Sequence, residues 1–290
     1  MSTRPGLIRL VVLDWAGTTV DFGCFGPVAS FVEALGRHGL VATSREVRGP
    51  MGLAKKDHLR ALLRLPGLSE RWRAARGRDW DDSDVERIYR EDYLPLQLAA
   101  VGRHDRLVPG LVGVVAALRS RGLKIATTTG YFREAATIVF ESARDQGYAR
   151  DLDVLPDEVA AGRPAPWMIF RAMEAMAVYP PSAVVKVGDT PADISEGRNA
   201  GAWSLGVIAS SSEVGLSEPE WAALPGPERR AIVEAVRLRF ERAGAHATIE
   251  TLAELPEAIA GLDRRLRDGD SPDLVPARRP ADLPDRDRTP

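Results

Sequence analysis

Four short runs of aliphatic and β-branched residues recur along the chain, and long amphipathic stretches separate them. The runs are residues 8–14, 123–129, 183–189 and 203–208. The stretches between them, such as Leu111–Arg121 and Trp167–Ala177, have the period of helices. Strands that alternate with helices predict right-handed βαβ crossovers and a parallel sheet covered by helices on both faces. We therefore expect an α/β fold with a Rossmann-like, doubly wound parallel core.

Residues 23–102 interrupt this alternation, because they contain no strand-like run and helical periodicity dominates them. The helices predicted in this segment are Val28–His38, Lys55–Leu65 and Val85–Leu96. Ser44 is predicted to cap a further short helix that ends before Gly49. The pattern therefore predicts a helical segment that is inserted between the first strand and the rest of the sheet.

The predicted domain boundaries follow from these two patterns. The Rossmann-like core is expected to comprise residues 1–22 and 103–266, and the inserted helical segment residues 23–102. Residues 267–290 are rich in Pro, Asp and Arg and contain almost nothing apolar to bury. We therefore expect this last stretch to be a disordered tail.

Composition narrows the class of function. The chain has 290 residues and a net charge of −2, which provides no electrostatic basis for binding nucleic acid or an anionic membrane. A single cysteine and four histidines exclude a disulfide framework and a cysteine-rich metal site. The N-terminal apolar run is too short for a signal peptide, and no stretch approaches the roughly 18 apolar residues of a membrane helix. We expect a soluble, cytoplasmic protein with no nucleic-acid or membrane partner.

Polar residues follow three of the four predicted strands, where the chemistry of a parallel α/β sheet is found. Asp14 ends the first run beside free backbone N–H groups that could cradle a phosphoryl group, and Thr129 offers a hydroxyl at the end of the second. Asp189 and Asp193, at and beyond the end of the third, are oxygen ligands suited to Mg²⁺. Each residue has a structural alternative when taken singly: a helix N-cap or turn aspartate for Asp14, an ordinary strand threonine for Thr129, and a helix N-cap for Asp193.

Taken together, these motifs resemble the haloacid dehalogenase superfamily of phosphoryl-transfer enzymes over roughly residues 8–260. The resemblance implies that Asp14 is a nucleophile that becomes an aspartyl-phosphate. It also implies that Asp14, the carbonyl group of Ala16 and the carboxylate of Asp189 hold Mg²⁺, with Asp193 in support. The helical segment occupies the place of the mobile cap of that superfamily.

The resemblance also assigns the phosphoryl-binding groups. Thr129 and the adjoining Gly130 correspond to the second motif of the superfamily. The third motif is a cation, usually lysine, and the matching segment AAGRPAPW supplies Arg163. Arginine is a bidentate anion binder and is equally suited to this role.

Ala16 is a departure from the members of the superfamily that cleave phosphate esters, in which a carboxylate at this position protonates the departing oxygen. Its absence indicates either a non-catalytic phosphate-binding protein or a leaving group that is not an oxygen. The segment RGPMGLAKKDHLRALL offers Lys55, which shares a helix face with His58 three residues later, whereas Lys56 points about a quarter turn away. Nearby apolar residues would partly desolvate Lys55 and lower its pKa, although a short lysine-rich helix start is usually only a solvated surface.

Further motifs distinguish between these possibilities. The segments are DWAGTTVDFGCFGP, MGLAKKDH, TTTGYFRE, AGRPAPWM and KVGDTPADISEGRNAG. Together they resemble the phosphonatase branch of the superfamily, whose members hydrolyse the carbon–phosphorus bond of phosphonoacetaldehyde. The resemblance implies that Lys55 forms a Schiff base with the substrate aldehyde, and that the caps of two chains pair into a homodimer.

The same resemblance places several further residues near the substrate, each with a simpler alternative. Cys24 and Met51 would lie close to it, but a buried thiol that packs as a small hydrophobe is the ordinary case. His58 either moves protons during imine formation or hydrogen-bonds within the cap. Tyr131 either lines the pocket or closes the turn after Gly130. The alternative functions are a phosphomonoesterase or phosphomutase acting on a small phosphate ester, and a non-catalytic phosphate-binding protein.

Overall fold

A six-stranded, entirely parallel sheet forms the centre of the protein, whose structure is a computed structural model that describes residues 6–272. The strands are β1 (Leu10–Leu13), β2 (Lys124–Thr128), β3 (Leu152–Val154), β4 (Val184–Gly188), β5 (Trp203–Val207) and β6 (Ala247–Ile249). Their order in the sheet is β3-β2-β1-β4-β5-β6. The α/β fold and all four predicted strands are confirmed. Strands β3 and β6, at the two edges, were not predicted.

The register of the central strands brings their ends together. Leu13, the last residue of β1, pairs with Thr127 of β2 and with Val187 of β4. All residues of β1 and β4 are buried, as expected for a parallel sheet covered on both faces. The residues that follow these three strands therefore emerge at one edge of the sheet.

The helical segment, which we define as residues 23–102, follows β1. Its helices are α1 (Phe25–Gly36), α2 (Ser44–Arg48), α3 (Lys55–Leu63), α4 (Pro66–Arg76), α5 (Asp82–Arg87), a π-helical stretch (Ile88–Tyr93) and α6 (Leu94–Val101). The three predicted helices are present, but the last is divided by the π-helical stretch. The N-cap prediction at Ser44 is wrong by one residue. Thr43 caps α2, because its side chain accepts a hydrogen bond from the backbone N–H of Glu46 and the Glu46 carboxylate accepts one from the N–H of Thr43.

The remaining helices cover the two faces of the sheet. They are α7 (Leu111–Ser120), α8 (Arg133–Asp145), α9 (Trp167–Ala175), α10 (Pro191–Asn199), α11 (Glu218–Ala223), α12 (Gly226–Arg242) and α13 (Leu255–Arg267). None of the helices in residues 6–272 is both long enough and apolar enough to cross a membrane. The tail predicted from residue 267 begins at the last residue of α13, and residues 273–290 lie outside the described part of the chain.

The helical segment has a hydrophobic cluster of its own, in which Phe31, Leu59, Trp72 and Tyr93 are fully buried. Two chain connections join it to the sheet. The connections pair with each other, because the N–H of Asp21 donates to the carbonyl of Arg106 at 3.1 Å. The Asp21 carboxylate accepts hydrogen bonds from the first backbone N–H groups of α1, and His104 Nδ1 lies 3.4 Å from it. The two connections are therefore linked through side chains as well as backbone.

Candidate active site

A buried cavity lies where the ends of β1, β2 and β4 meet the helical segment. Its lining from the sheet side is Asp14, Ala16, Thr129, Gly130, Tyr131, Arg163, Asp189 and Thr190. Its lining from the helical segment is Cys24, Pro27, Met51, Gly52 and Lys55. The structure therefore brings together all of the predicted site residues except His58 and Asp193, which lie behind this lining.

Asp14 directly follows β1, and its backbone N–H continues the sheet by donating to the carbonyl of Val187 at 3.0 Å. Its side chain is buried, and Oδ1 accepts a hydrogen bond of 2.6 Å from Arg163 Nη2. Burial raises the pKa of Asp14 above its ordinary value, and the charge of Arg163 opposes this. Asp14 faces the cavity with a charged partner, so the turn-aspartate alternative does not describe it.

Three carboxylates could take part in binding a metal ion, because one oxygen from each of Asp14, Asp189 and Asp193 lies within 4.8 Å of the others. Asp189 is buried, and burial and the nearby Asp14 raise its pKa well above the ordinary range. Asp14 and Asp189 are therefore harder to ionise than ordinary carboxylates. A hard divalent cation bound between them would favour their charged forms.

Asp193 differs from the other two carboxylates because its oxygens are already engaged. Its Oδ1 lies 2.9 Å from both Arg163 Nη1 and Lys186 Nζ, and its Oδ2 accepts a hydrogen bond of 2.5 Å from Thr190 Oγ1. The predicted alternative that Asp193 caps a helix is wrong, since Thr190 is the N-cap of α10 and accepts from the Asp193 N–H. Asp193 therefore lies beside the acidic pair and contacts cations of the protein.

Arg163 is buried and has a partner on each side of its guanidinium group. Besides Asp14, its partners are Thr128 Oγ1, Asp193 Oδ1 and Glu196 Oε2, each at 2.9 Å. Burial opposes its charge, but the surrounding carboxylates outweigh burial and raise its pKa. Sequence reasoning missed Thr128 and Glu196, since neither follows a strand end in the predicted pattern.

Thr129 and Gly130 form the turn after β2. Thr129 Oγ1 accepts a hydrogen bond of 3.0 Å from the backbone N–H of Tyr131, so the hydroxyl both lines the cavity and closes the turn. A Cβ atom on Gly130 would lie only 2.9 Å from the carbonyl oxygen of Leu53. The turn is therefore in close contact with the loop that precedes α3.

Lys55 and Lys56 have different surroundings although they are adjacent in the chain. Lys55 is 7% exposed, and its Nζ lies 5.2 Å from the ring centroid of Tyr131. Burial lowers the pKa of Lys55, and the negative charge of Asp14 opposes this. The Lys56 side chain is 40% exposed, and its Nζ lies 2.6 Å from Glu86 Oε2. Only Lys55 presents its amine to the cavity.

His58 lies behind the cavity lining. Its Nε2 donates to the carbonyl of Val47 at 2.8 Å, and its ring stacks on Phe31 with centroids 3.9 Å apart. Burial and the neighbouring Lys55 lower its pKa far below the usual value, so the ring is neutral. This geometry favours the predicted alternative in which His58 hydrogen-bonds within the helical segment.

Cys24 and Met51 are buried side chains of the cavity wall. Burial raises the pKa of the Cys24 thiol well above its ordinary value, so the thiol is neutral and packs as a small hydrophobe. Cys24 precedes α1 with a left-handed backbone, φ +54°. Both side chains therefore shape the wall beside Lys55.

Arg48 also joins the helical segment to the rest of the protein, and sequence reasoning missed it. Its Nη1 donates to the carbonyl of Gly23 at 2.7 Å and to that of Ser212 at 3.1 Å. The N–H of Ser212 in turn donates to Asp189 Oδ2 at 2.8 Å. A Cβ on Gly52 would overlap Thr190 Oγ1, so the two parts are in close contact there as well.

Residues 8–201 match the family model of haloacid dehalogenase-like hydrolases. The chain belongs to this family, and it is a hydrolase. Members of the family use a metal ion, in agreement with the acidic cluster of Asp14 and Asp189.

Relatives define its place in the family more narrowly. The phosphonoacetaldehyde hydrolase of Syntrophobacter fumaroxidans is 45% identical over 267 residues, which cover 92% of this chain and 96% of the relative. That of Bacillus cereus strain AH820 is 44% identical over 258 residues, which cover 89% and 97%. A crystal structure of a phosphonoacetaldehyde hydrolase-like protein from Oleispira antarctica has a TM-score of 0.89 at 33% identity, covering 93% of this chain and 99% of that one. The resemblance to the phosphonatase branch is confirmed.

Proposed function

We propose that the protein hydrolyses the carbon–phosphorus bond of phosphonoacetaldehyde to acetaldehyde and phosphate. The observation that carries this proposal is the presence of two nucleophiles, Asp14 and Lys55, in one buried cavity in which Ala16 supplies no acid. An amine suits the aldehyde of the substrate, and a carboxylate suits its phosphorus. The names of the 44–45% identical relatives support the same substrate.

The first step is condensation of Lys55 with the aldehyde. Because burial lowers its pKa, a larger share of Lys55 is neutral near pH 7 than for an ordinary lysine. The amine attacks the carbonyl carbon, water leaves, and a protonated imine remains next to the carbon that carries phosphorus. The ring of Tyr131, 5.2 Å from Nζ, favours the positive charge that develops there.

The second step is phosphoryl transfer to Asp14. A carboxylate oxygen attacks phosphorus, and the electron pair of the carbon–phosphorus bond moves into the imine to give an enamine. Arg163 and Thr129 hold the phosphoryl oxygens in this step. No oxygen departs, so no acid is required at Ala16. Water then hydrolyses the aspartyl-phosphate to phosphate. Protonation of the enamine at carbon gives an imine, and hydrolysis of this imine releases acetaldehyde and restores Lys55.

We propose Mg²⁺ as the metal ion, with Asp14, Asp189 and the carbonyl group of Ala16 as its protein ligands. A divalent cation there would neutralise charge on the phosphoryl oxygens. Asp193 supports the site indirectly through its contacts with Arg163 and Thr190. The raised pKa values of Asp14 and Asp189 support a bound cation, because its positive charge would stabilise the ionised form of both carboxylates.

The helical segment at residues 23–102 is, in this proposal, a cap domain over a core of residues 1–22 and 103–266. Its own hydrophobic cluster and its two paired connections support this division. We further propose, from the phosphonatase resemblance, a cytoplasmic homodimer that pairs through its caps. Light scattering after size-exclusion chromatography measures the mass of the particle, and a monomer at micromolar concentration would contradict the dimer.

Borohydride trapping tests the central proposal. Wild-type protein is incubated with phosphonoacetaldehyde and Mg²⁺, reduced, digested and mapped by mass spectrometry. We expect a reduced adduct on Lys55, and Lys55→Arg is expected to lose the adduct and to slow phosphate release by about 10⁴-fold or more. Lys56→Arg is the matched control and is expected to keep both. An adduct on Lys56 would overturn the assignment. The absence of any adduct, with phosphate released from simple monoesters, would identify a phosphomonoesterase instead.

A further inference from the structure

Lys186 is a fully buried lysine that the proposed reaction does not use. It lies in the middle of β4, between Val185 and Val187, in the strand that leads to Asp189. A lysine is rarely buried to this extent unless it is paired. Helix α10 packs closely on its stem, because a Cβ on Gly197 would lie 2.9 Å from Lys186 Cβ. The ammonium group is therefore held in place beneath the active site.

Lys186 and Arg163 bind the same three oxygen atoms. The ammonium nitrogen lies 2.8 Å from Thr128 Oγ1, 2.9 Å from Asp193 Oδ1 and 3.3 Å from Glu196 Oε2. The guanidinium group of Arg163 lies 2.9 Å from each of those atoms. Each of the three N–H groups of the ammonium therefore has an acceptor nearby, and Arg163 contacts all three of these acceptors.

The difference between the two cations is a fourth contact, which only Arg163 makes. Its Nη2 donates to Asp14 Oδ1 at 2.6 Å. Without Lys186, the single charge of Arg163 would be shared between two buried carboxylates, Asp193 and Glu196, as well as Asp14. With Lys186 present, two cations balance those two carboxylates. The guanidinium edge that faces Asp14 is then available to bind an anion.

We propose that Lys186 is a positioning residue, which neutralises Asp193 and Glu196 and so leaves the guanidinium edge of Arg163 directed at the phosphoryl position. The inference rests on the proposed function for the identity of the phosphoryl group. Lys186→Met removes the charge and keeps much of the stem. We expect phosphoryl transfer to slow by about 10²-fold and inorganic phosphate to become a weaker competitive inhibitor. Imine formation at Lys55 is expected to continue, because Lys55 belongs to the helical segment and contacts none of these groups.

A charge-restoring double variant separates this role from simple packing. Lys186→Met combined with Glu196→Gln removes one charge of each sign. We expect it to regain at least about tenfold of the lost rate, whereas two packing defects would add. Lys124→Met, at the exposed start of β2, is the matched control.

The outcomes are distinguishable. Wild-type phosphate inhibition and turnover in Lys186→Met, or equal losses of Lys55 trapping and phosphate release, would overturn the proposal. A Lys186→Met protein that binds phosphate weakly, beside a wild type that does not cleave phosphonoacetaldehyde, would contradict the proposed function and support the role of Lys186. Glu196→Gln alone is measured as well, in case Lys186→Met does not fold. We expect it to bind phosphate more tightly, and weaker binding would contradict the proposal.

Discussion

Gly17 lies so close to Asp189 that a Cβ atom on residue 17 would overlap the carboxylate oxygen Oδ2. Its backbone is also left-handed, with φ +86°. The turn after β1 can therefore take only glycine at this position without displacing Asp189. The close approach of this turn to the Asp189 carboxylate depends on the absence of a side chain at residue 17.

Gly17→Ala is expected to weaken the metal site. The added methyl group displaces Asp189, so the Mg²⁺ concentration for half-maximal activity should rise at least about tenfold. Gly39→Ala is the matched control, because Gly39 has φ +76° but no neighbour within 4 Å of a Cβ. Both variants carry a backbone cost of about 1–2 kcal/mol. The same Mg²⁺ dependence in the two variants would contradict the role of Gly17.

Asp14→Asn is expected to separate the two covalent steps of the proposed reaction. Phosphate release should cease, while Lys55 still forms a trappable imine. Burial lowers the pKa of Lys55, and the charge of Asp14 partly reverses this, so removing that charge lowers the pKa further. The pH of half-maximal trapping should therefore move downward. Trapping as a function of pH measures the shift, with Asp79→Asn, an exposed carboxylate of the helical segment, as the control. An upward shift of this pH would show that the charge of Asp14 does not raise the pKa of Lys55.

Arg48→Met is expected to loosen the contact between the helical segment and the loop that bears Ser212. The charged hydrogen bond to the carbonyl group of Ser212, which joins the two parts, would be lost, as would the one to Gly23 within the helical segment. Because hydrogen bonds to charged groups contribute about 1.5–3 kcal/mol, KM should rise about tenfold or more. Steady-state kinetics would measure this. Arg45→Met, an exposed residue of the same short helix, should leave KM unchanged, and equal values for both variants would argue against the link.

His104 is expected to make stability depend on pH. Its hydrogen bond to Asp21 raises its pKa, so the stabilisation is complete below the ordinary histidine value of 6.5 and is lost as pH rises through the raised value. Urea unfolding of wild type and His104→Gln should therefore differ more at about pH 5 than at about pH 8. Arg103 lowers this pKa, so Arg103→Gln should extend the difference to higher pH. A larger difference at the higher pH would contradict the pairing.

The parts of the fold that could be predicted are those that the chain encodes locally. Strands β1 and β4 are buried on both faces and therefore read as continuous apolar runs. Strands β3 and β6 have three residues each, and only pairing with a neighbour makes them strands. Thr43 could have been recognised as the N-cap of α2, because Glu46 follows it at the spacing of a capping box.

The residues of the candidate site likewise divide into those that the sequence predicts and those that it does not. Residues at strand ends, such as Asp14 and Asp189, could be predicted because topology brings strand ends together. Lys186 carried a signal, since a lysine within a Val-Val-Lys-Val run is unusual in a buried strand. Its partners could not be predicted, because Glu196 comes from a helix and Arg163 from a loop. Their three shared contacts exist only in the folded chain.

Gly52 and Gly130 determine how near the helical segment can come to the end of the sheet. A methyl group on residue 52 would overlap Thr190, and one on residue 130 would lie 2.9 Å from the Leu53 carbonyl oxygen. The absence of a side chain at each glycine thus allows the two sides of the cavity to come into contact. A single carbon atom at either position would force the two sides of the cavity apart. In the proposed reaction, bulk water that entered there would compete with Asp14 for phosphorus and reverse the condensation at Lys55. Closure of the cavity thus depends on two residues without side chains.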